Sequence, residues 1–210
     1  MKENQDYLND ISEIRSMMER SSRFISLSGL SGVFAGIYAL IGAHIANDIM
    51  NPVNYDITEK LKTLTTSNLK LLMLDVTIVL VLAIATGIFF TVRRAKKANQ
   101  KIWDRTVQRL LINLFIPLAA GGLFCLTMIF RGVIGFVAPA TLIFYGLALI
   151  NASRYTVSDI RSLGLAEIAL GLIAASFPGY GLIFWAIGFG ILHILYGAIM
   201  YFKYERISAT

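Results

Sequence analysis

Residues 110–150 read LLINLFIPLAAGGLFCLTMIFRGVIGFVAPATLIFYGLALI, and the fold follows from how this stretch is divided. It runs for 41 residues and carries a single charge, Arg131, followed by Gly132. As one helix it would be about 60 Å long at about 1.5 Å per residue. That is about twice the hydrocarbon thickness of a bilayer. The stretch is therefore predicted to be a helical hairpin, with spans over 110–130 and 133–150 and Arg131 at the turn between them. Residues 162–202 repeat the arrangement, broken by Pro178-Gly179-Tyr180-Gly181, a strong turn signal. Their spans are predicted over 162–177 and 182–202.

The rest of the chain fits the same plan. Of its 210 residues 56% are apolar and only 15% charged. A soluble domain is about 45–50% apolar and about 25% charged, so this composition belongs to a membrane protein. An apolar run over 24–46, a polar stretch over 47–68 and a second apolar run over 69–92 make a first hairpin with a longer loop. The expected fold is all-α: six transmembrane helices arranged as three hairpins (residues 24–202), followed by a short tail over 203–210. Residues 1–23 are polar and too acidic for a secretory signal. Within them Tyr7, Ile11, Ile14 and Met18 fall at helical spacing, so an amphipathic helix is expected over about 7–22.

Charge sets the expected topology. Net charge is +6. With the N-terminus inside, 15 of the 19 Lys and Arg residues fall on the inner side, seven of them in loop 93–109. Only Lys60, Lys62, Lys70 and Arg131 fall outside. Cytoplasmic flanks are enriched in Lys and Arg, so both ends are expected in the cytoplasm. The basic residues beside the spans, Arg93, Arg94, Lys96 and Lys97 above all, read as contacts to lipid headgroups rather than to nucleic acid.

Ser28, Gly32 and Gly36 form a small-residue ladder on the first span. Small residues let helix backbones approach closely in lipid, so this is a helix-packing face, either within the chain or between copies. Pro117 and Pro139 fall within spans three and four and are expected to kink them.

Polar groups inside a bilayer are costly and are functional candidates by default. The set is short: Asp75 in span two, His44 near the outer end of span one, Asn113 near the inner end of span three, Glu167 in span five and His193 near the middle of span six. One reading makes Glu167, His193 and Asp75, with His44, a proton path, since an imidazole at mid-depth can pass a proton. The plainer readings pair Glu167 with Asn113 or a basic residue of loop 93–109, and His193 with a carbonyl or a tyrosine. Haem held by His44 and His193 would need both rings at one depth, and their places in the spans differ.

Enzyme constellations are missing. The sequence has no phosphate-binding loop, no H-E-x-x-H, no G-x-S-x-G and no cysteine cluster, Cys125 being its one cysteine. No catalytic residue, metal or cofactor is expected, and the function is expected to be non-enzymatic.

Residues 16–43, SMMERSSRFISLSGLSGVFAGIYALIGA, resemble the opening of an uncharacterised family of small bacterial inner-membrane proteins with about six spans. The resemblance is sharpest over 14–43. It implies a bacterial inner-membrane location and transfers no activity or site. Two functions are expected from these readings. The first is an accessory or regulatory protein acting through helix contacts with lipid, a second copy or another membrane protein. The alternative is a small proton-coupled transporter or channel built on Glu167, His193 and Asp75.

Overall fold

A computed structural model describes residues 28–50, 66–97, 102–177 and 179–206. The amphipathic helix expected over 7–22 and the centre of the first loop lie outside them. The described residues form an all-α bundle of six helices. Helix α1 is Gly29–Met50, α2 Thr66–Lys97, α3 Arg105–Phe130, α4 Val137–Ala152 and α5 Asp159–Ser176. The last, α6, spans 181–206 and is composite. It runs as α-helix over Gly181–Trp185, as π-helix over Ala186–Leu192, as α-helix over His193–Tyr201 and as π-helix again over Phe202–Arg206.

Five helical stretches are long and apolar enough to cross a membrane. Helix α5 is set apart by its charges, Asp159, Arg161 and Glu167 within 18 residues. Helical geometry is what lipid demands, because it satisfies every backbone N–H and C=O within the segment.

Local chemistry explains the ends of these helices. The Asp104 carboxylate accepts from the Val107 N–H at 2.8 Å and starts α3. At the far end of α3, Gly132 adopts φ 74°. Its N–H bonds the Ile129 carbonyl (3.0 Å), and the Val133 N–H bonds the Met128 carbonyl (2.9 Å). That double closure needs a left-handed residue, which glycine supplies without strain. Arg131 is exposed at this turn, as its place between two apolar runs requires. Pro139 departs from the sequence expectation. A single 3-10 turn, Ile134–Phe136, precedes α4, so Pro139 sits in the first turn of that helix. There its missing N–H has no helical partner to lose, and no kink follows. Pro117 does lie inside its helix.

The packing divides the bundle into two halves joined by α6. Helix α1 packs on α2 on one side and on α6 on the other. Helix α4 packs on both α3 and α5, and the first segment of α6 meets α4 and α5. In the most apolar window of α2 no residue is buried within the protein, so its apolar surface is left to lipid.

The central seams are backbone against backbone. A Cβ placed on Gly36 would lie 2.6 Å from the Gly190 carbonyl oxygen, and one on Gly197 2.6 Å from the Val33 nitrogen. Across the other half, a Cβ on Gly146 would lie 2.5 Å from the Gly164 carbonyl oxygen. Gly122, by contrast, has open space around it. Gly197→Val is therefore expected to force α1 off α6 and cost about 3 kcal/mol, the upper end for overpacking. Gly122→Ala is expected to be neutral or slightly stabilising. Unfolding titrations of the two variants in mixed micelles check this, and equal midpoints would contradict the seam.

Candidate functional site

The buried polar cluster is made by three helices. Helix α5 supplies Glu167, α6 supplies His193 and α4 supplies Tyr145. Glu167 is 0% exposed, and His193 is buried as well. The Tyr145 hydroxyl and His193 Nε2 are 2.8 Å apart. His193 Nδ1 lies 2.9 Å from the Gly188 carbonyl oxygen and 3.4 Å from Glu167 Oε1. A carbonyl only accepts, so Nδ1 carries a proton and donates it to Gly188. With the ring neutral, Nε2 then accepts from the Tyr145 hydroxyl.

The π-helical segment is what makes this arrangement. His193 reaches back to the carbonyl five residues earlier, in the turn that is widened over Ala186–Leu192. Segments of this kind are rare and concentrate at functional sites. Gly188 is required for a second reason. A Cβ there would lie 2.5 Å from Glu167 Oε2 and 2.5 Å from Leu142 Cδ2. The Glu167 carboxyl thus lies directly across the backbone of α6, where only glycine leaves room for it.

Glu167 is the unusual member. Both of its carboxyl oxygens are buried without a hydrogen-bond partner. A buried net charge costs several kcal/mol, roughly, even after relaxation. The cluster is cheapest when Glu167 and His193 carry no net charge between them. They do so either as neutral acid and imidazole or as carboxylate and imidazolium. The two forms differ by one proton, which on the ring would be taken by Nε2, the nitrogen that Tyr145 faces, because Nδ1 already carries one. An aromatic ladder leads to the pair along one face of α6. Trp185 packs on Phe189 with centroids 5.0 Å apart, Phe189 on His193 at 5.7 Å, and Tyr145 on Phe189 at 4.9 Å.

With span five starting at 162, Glu167 would lie only about one and a half turns into it, shallower than His193, but the structure sets the two side by side. Helix α5 begins at Asp159, three residues before the predicted span, so Glu167 lies at its midpoint. The remaining candidates lie elsewhere. Asp75 is half-buried on the α1–α2 seam, where a Cβ on Gly42 would lie 3.4 Å from its carboxylate. It does not join the Glu167 cluster. His44 is exposed and stands 3.9 Å from Asp48 on its own helix. Asn113 donates to the Arg109 carbonyl at 2.8 Å and so turns back on its own helix instead of reaching Glu167. Haem between His44 and His193 fails on geometry, because both ring nitrogens of His193 are engaged by Tyr145 and Gly188.

The basic and small residues also separate. Arg93, Lys96 and Lys97 are exposed. Arg94, grouped with them on sequence, turns into the bundle, with Nη1 3.5 Å from Glu205 and Nη2 donating to the Tyr204 carbonyl at 2.9 Å. Gly32 and Gly36 face α6, whereas the Ser28 hydroxyl donates to Glu205 at 3.2 Å. Tyr145 and Glu205 were missed from sequence. Tyr145 had one signal, a phenol inside an apolar run, where a buried tyrosine needs a hydrogen-bond partner. Glu205 had another, an acid on an otherwise basic flank.

Comparison with family models, with curated proteins and with solved structures gives no match to this chain.

Proposed function

We propose that this chain is a proton-coupled membrane transporter or channel whose working site is the Glu167–His193–Tyr145 cluster. The observation that carries the reading is a fully buried carboxyl with no hydrogen-bond donor, 3.4 Å from an imidazole on a π-helical segment. An intramembrane acid of this kind is costly to keep and is a functional candidate for that reason. Proton exchange between Glu167 and His193 changes the charge on each without changing their sum. The ring takes the proton on Nε2, the nitrogen that Tyr145 holds, since Nδ1 is occupied by its bond to Gly188. Asp75, which the sequence put on the same path, is left out because it lies on the α1–α2 seam.

The reading includes six crossings, with α5 as the fifth. Its 18 residues are about 27 Å long, close to the hydrocarbon thickness. Asp159 and Arg161 fall in its first turn, so Glu167 is its one deep charge. Both ends are placed in the cytoplasm by the excess of basic residues there, and the setting is a bacterial inner membrane by the resemblance over 14–43. An accessory role through helix contacts has weaker support. The small residues that suggested it, Gly32 and Gly36, lie against α6 of the same chain.

The test uses purified full-length protein in vesicles loaded with a pH-sensitive dye. A potassium gradient with valinomycin imposes an inside-negative potential. Acidification is expected to be severalfold faster than in protein-free vesicles. Equal rates in the two preparations would overturn the reading.

A further inference from the structure

The last turn of α6 sends two charged side chains in different directions. Lys203 Nζ pairs with Asp159 at the start of α5, 3.0 and 3.1 Å from the two carboxylate oxygens. Two residues on, Glu205 reaches the start of α1. Its Oε1 accepts from the Gly29 N–H at 2.6 Å and from the Ser28 hydroxyl at 3.2 Å. Arg94, in the last turn of α2, closes the group on both sides through Glu205 and the Tyr204 carbonyl. The Arg94 and Glu205 side chains are only 17% and 16% exposed.

These contacts complete the start of α1 and tie it to the last described turn of α6. The first N–H groups of α1 have no helical partners, and Glu205 supplies an acid where the dipole favours one. In the last described turn of α6 the Arg94 guanidinium donates to the Tyr204 carbonyl. One short segment, Phe202–Arg206, therefore bridges α1 and α2 on one side to α5 on the other. These are the two halves of the bundle, and His193 lies on the helix between them.

We propose that Phe202–Arg206 is a two-way latch that holds the halves together at the basic end of the bundle and opens to separate them. The Lys203 and Asp159 side chains are 52% and 22% exposed, and an exposed ion pair is individually a weak contact, unlike the glycine seams deeper in the bundle. The α5 side of the latch is thus the part that can release while the seams persist. It rests on the geometry of these charges and not on what Glu167 does. Its test reads distance, so its failure and the failure of the transport reading are separable.

Spin labels on Lys97→Cys and Ser158→Cys, both exposed positions, in a Cys125→Ser background report the separation of α2 from α5. Pulsed dipolar spectroscopy on the full chain in nanodiscs is expected to give one dominant short distance. In Glu205→Gln, which keeps an acceptor for Gly29 but loses the charge, a longer-distance population is expected to rise at least threefold. Arg94→Gln, which also loses the guanidinium bond to the Tyr204 carbonyl, is expected to rise at least as far, and the double variant to go no further than Arg94→Gln, since both single variants break the same ion pair. If either single variant proves unfolded, Arg94→Lys retains the charge but not the fork and is expected to show a smaller rise. A distance distribution unchanged in every folded variant would overturn the latch.

Discussion

Glu167→Gln is expected to reduce proton uptake in the vesicle assay by at least about tenfold, equivalent to about 1.4 kcal/mol on the barrier. The substitution is nearly isosteric, so Leu142 and Gly188 keep their neighbour. What changes is that an amide cannot take up or release a proton. The amide is also neutral, so it leaves no buried charge for His193 to balance. The folded state should therefore lose nothing, and a stability within about 1 kcal/mol of the parent is expected. The pairing of lost uptake with retained stability is the diagnostic. Uptake that survives the substitution would remove Glu167 from the path.

His193→Leu is expected to cost about 3 kcal/mol of stability. It strands three groups together. The Tyr145 hydroxyl loses its partner at 2.8 Å, the Gly188 carbonyl loses its donor, and Glu167 is left without the imidazole that balances it. Breaking a buried pair on one side costs more than removing both sides, because the survivor stays buried and unpaired. The double variant His193→Leu with Glu167→Leu is thus expected to recover part of the loss. Unfolding midpoints of the parent, both single variants and the double variant form the cycle that measures it. Strict additivity would mean that the two residues do not act on one another.

The hairpins were legible because their signals are local. Arg131-Gly132 interrupts an apolar run too long for one crossing, and Gly132 takes the left-handed conformation that the turn requires. Polar placement was only half legible. The apolar runs predict that Glu167 and His193 lie in adjacent spans, but their meeting depends on which helices are neighbours and on three residues at the start of α5. The π-helical turn that aims His193 at Gly188 leaves no mark in composition. Arg94 looked like its neighbours Arg93, Lys96 and Lys97, and only the position of Glu205 in space distinguishes it. Pro139 was misread because the first turn of α4 begins later than the apolar run does.

The place of α6 between the two halves has a consequence for biogenesis. Helices α1 and α2 have each other, and α3, α4 and α5 pack as a group, so each set can assemble as it is synthesised. The helix that joins them leaves the ribosome after the other five. Insertion of the spans and assembly of the bundle are therefore separate events, in keeping with the two-stage view of membrane folding. Until α6 enters, the glycines of α1 and the carboxyl of Glu167 lack the surface they fit. In that interval the nascent chain is two unjoined parts, most exposed to quality-control proteolysis and to capture by another chain's last helix.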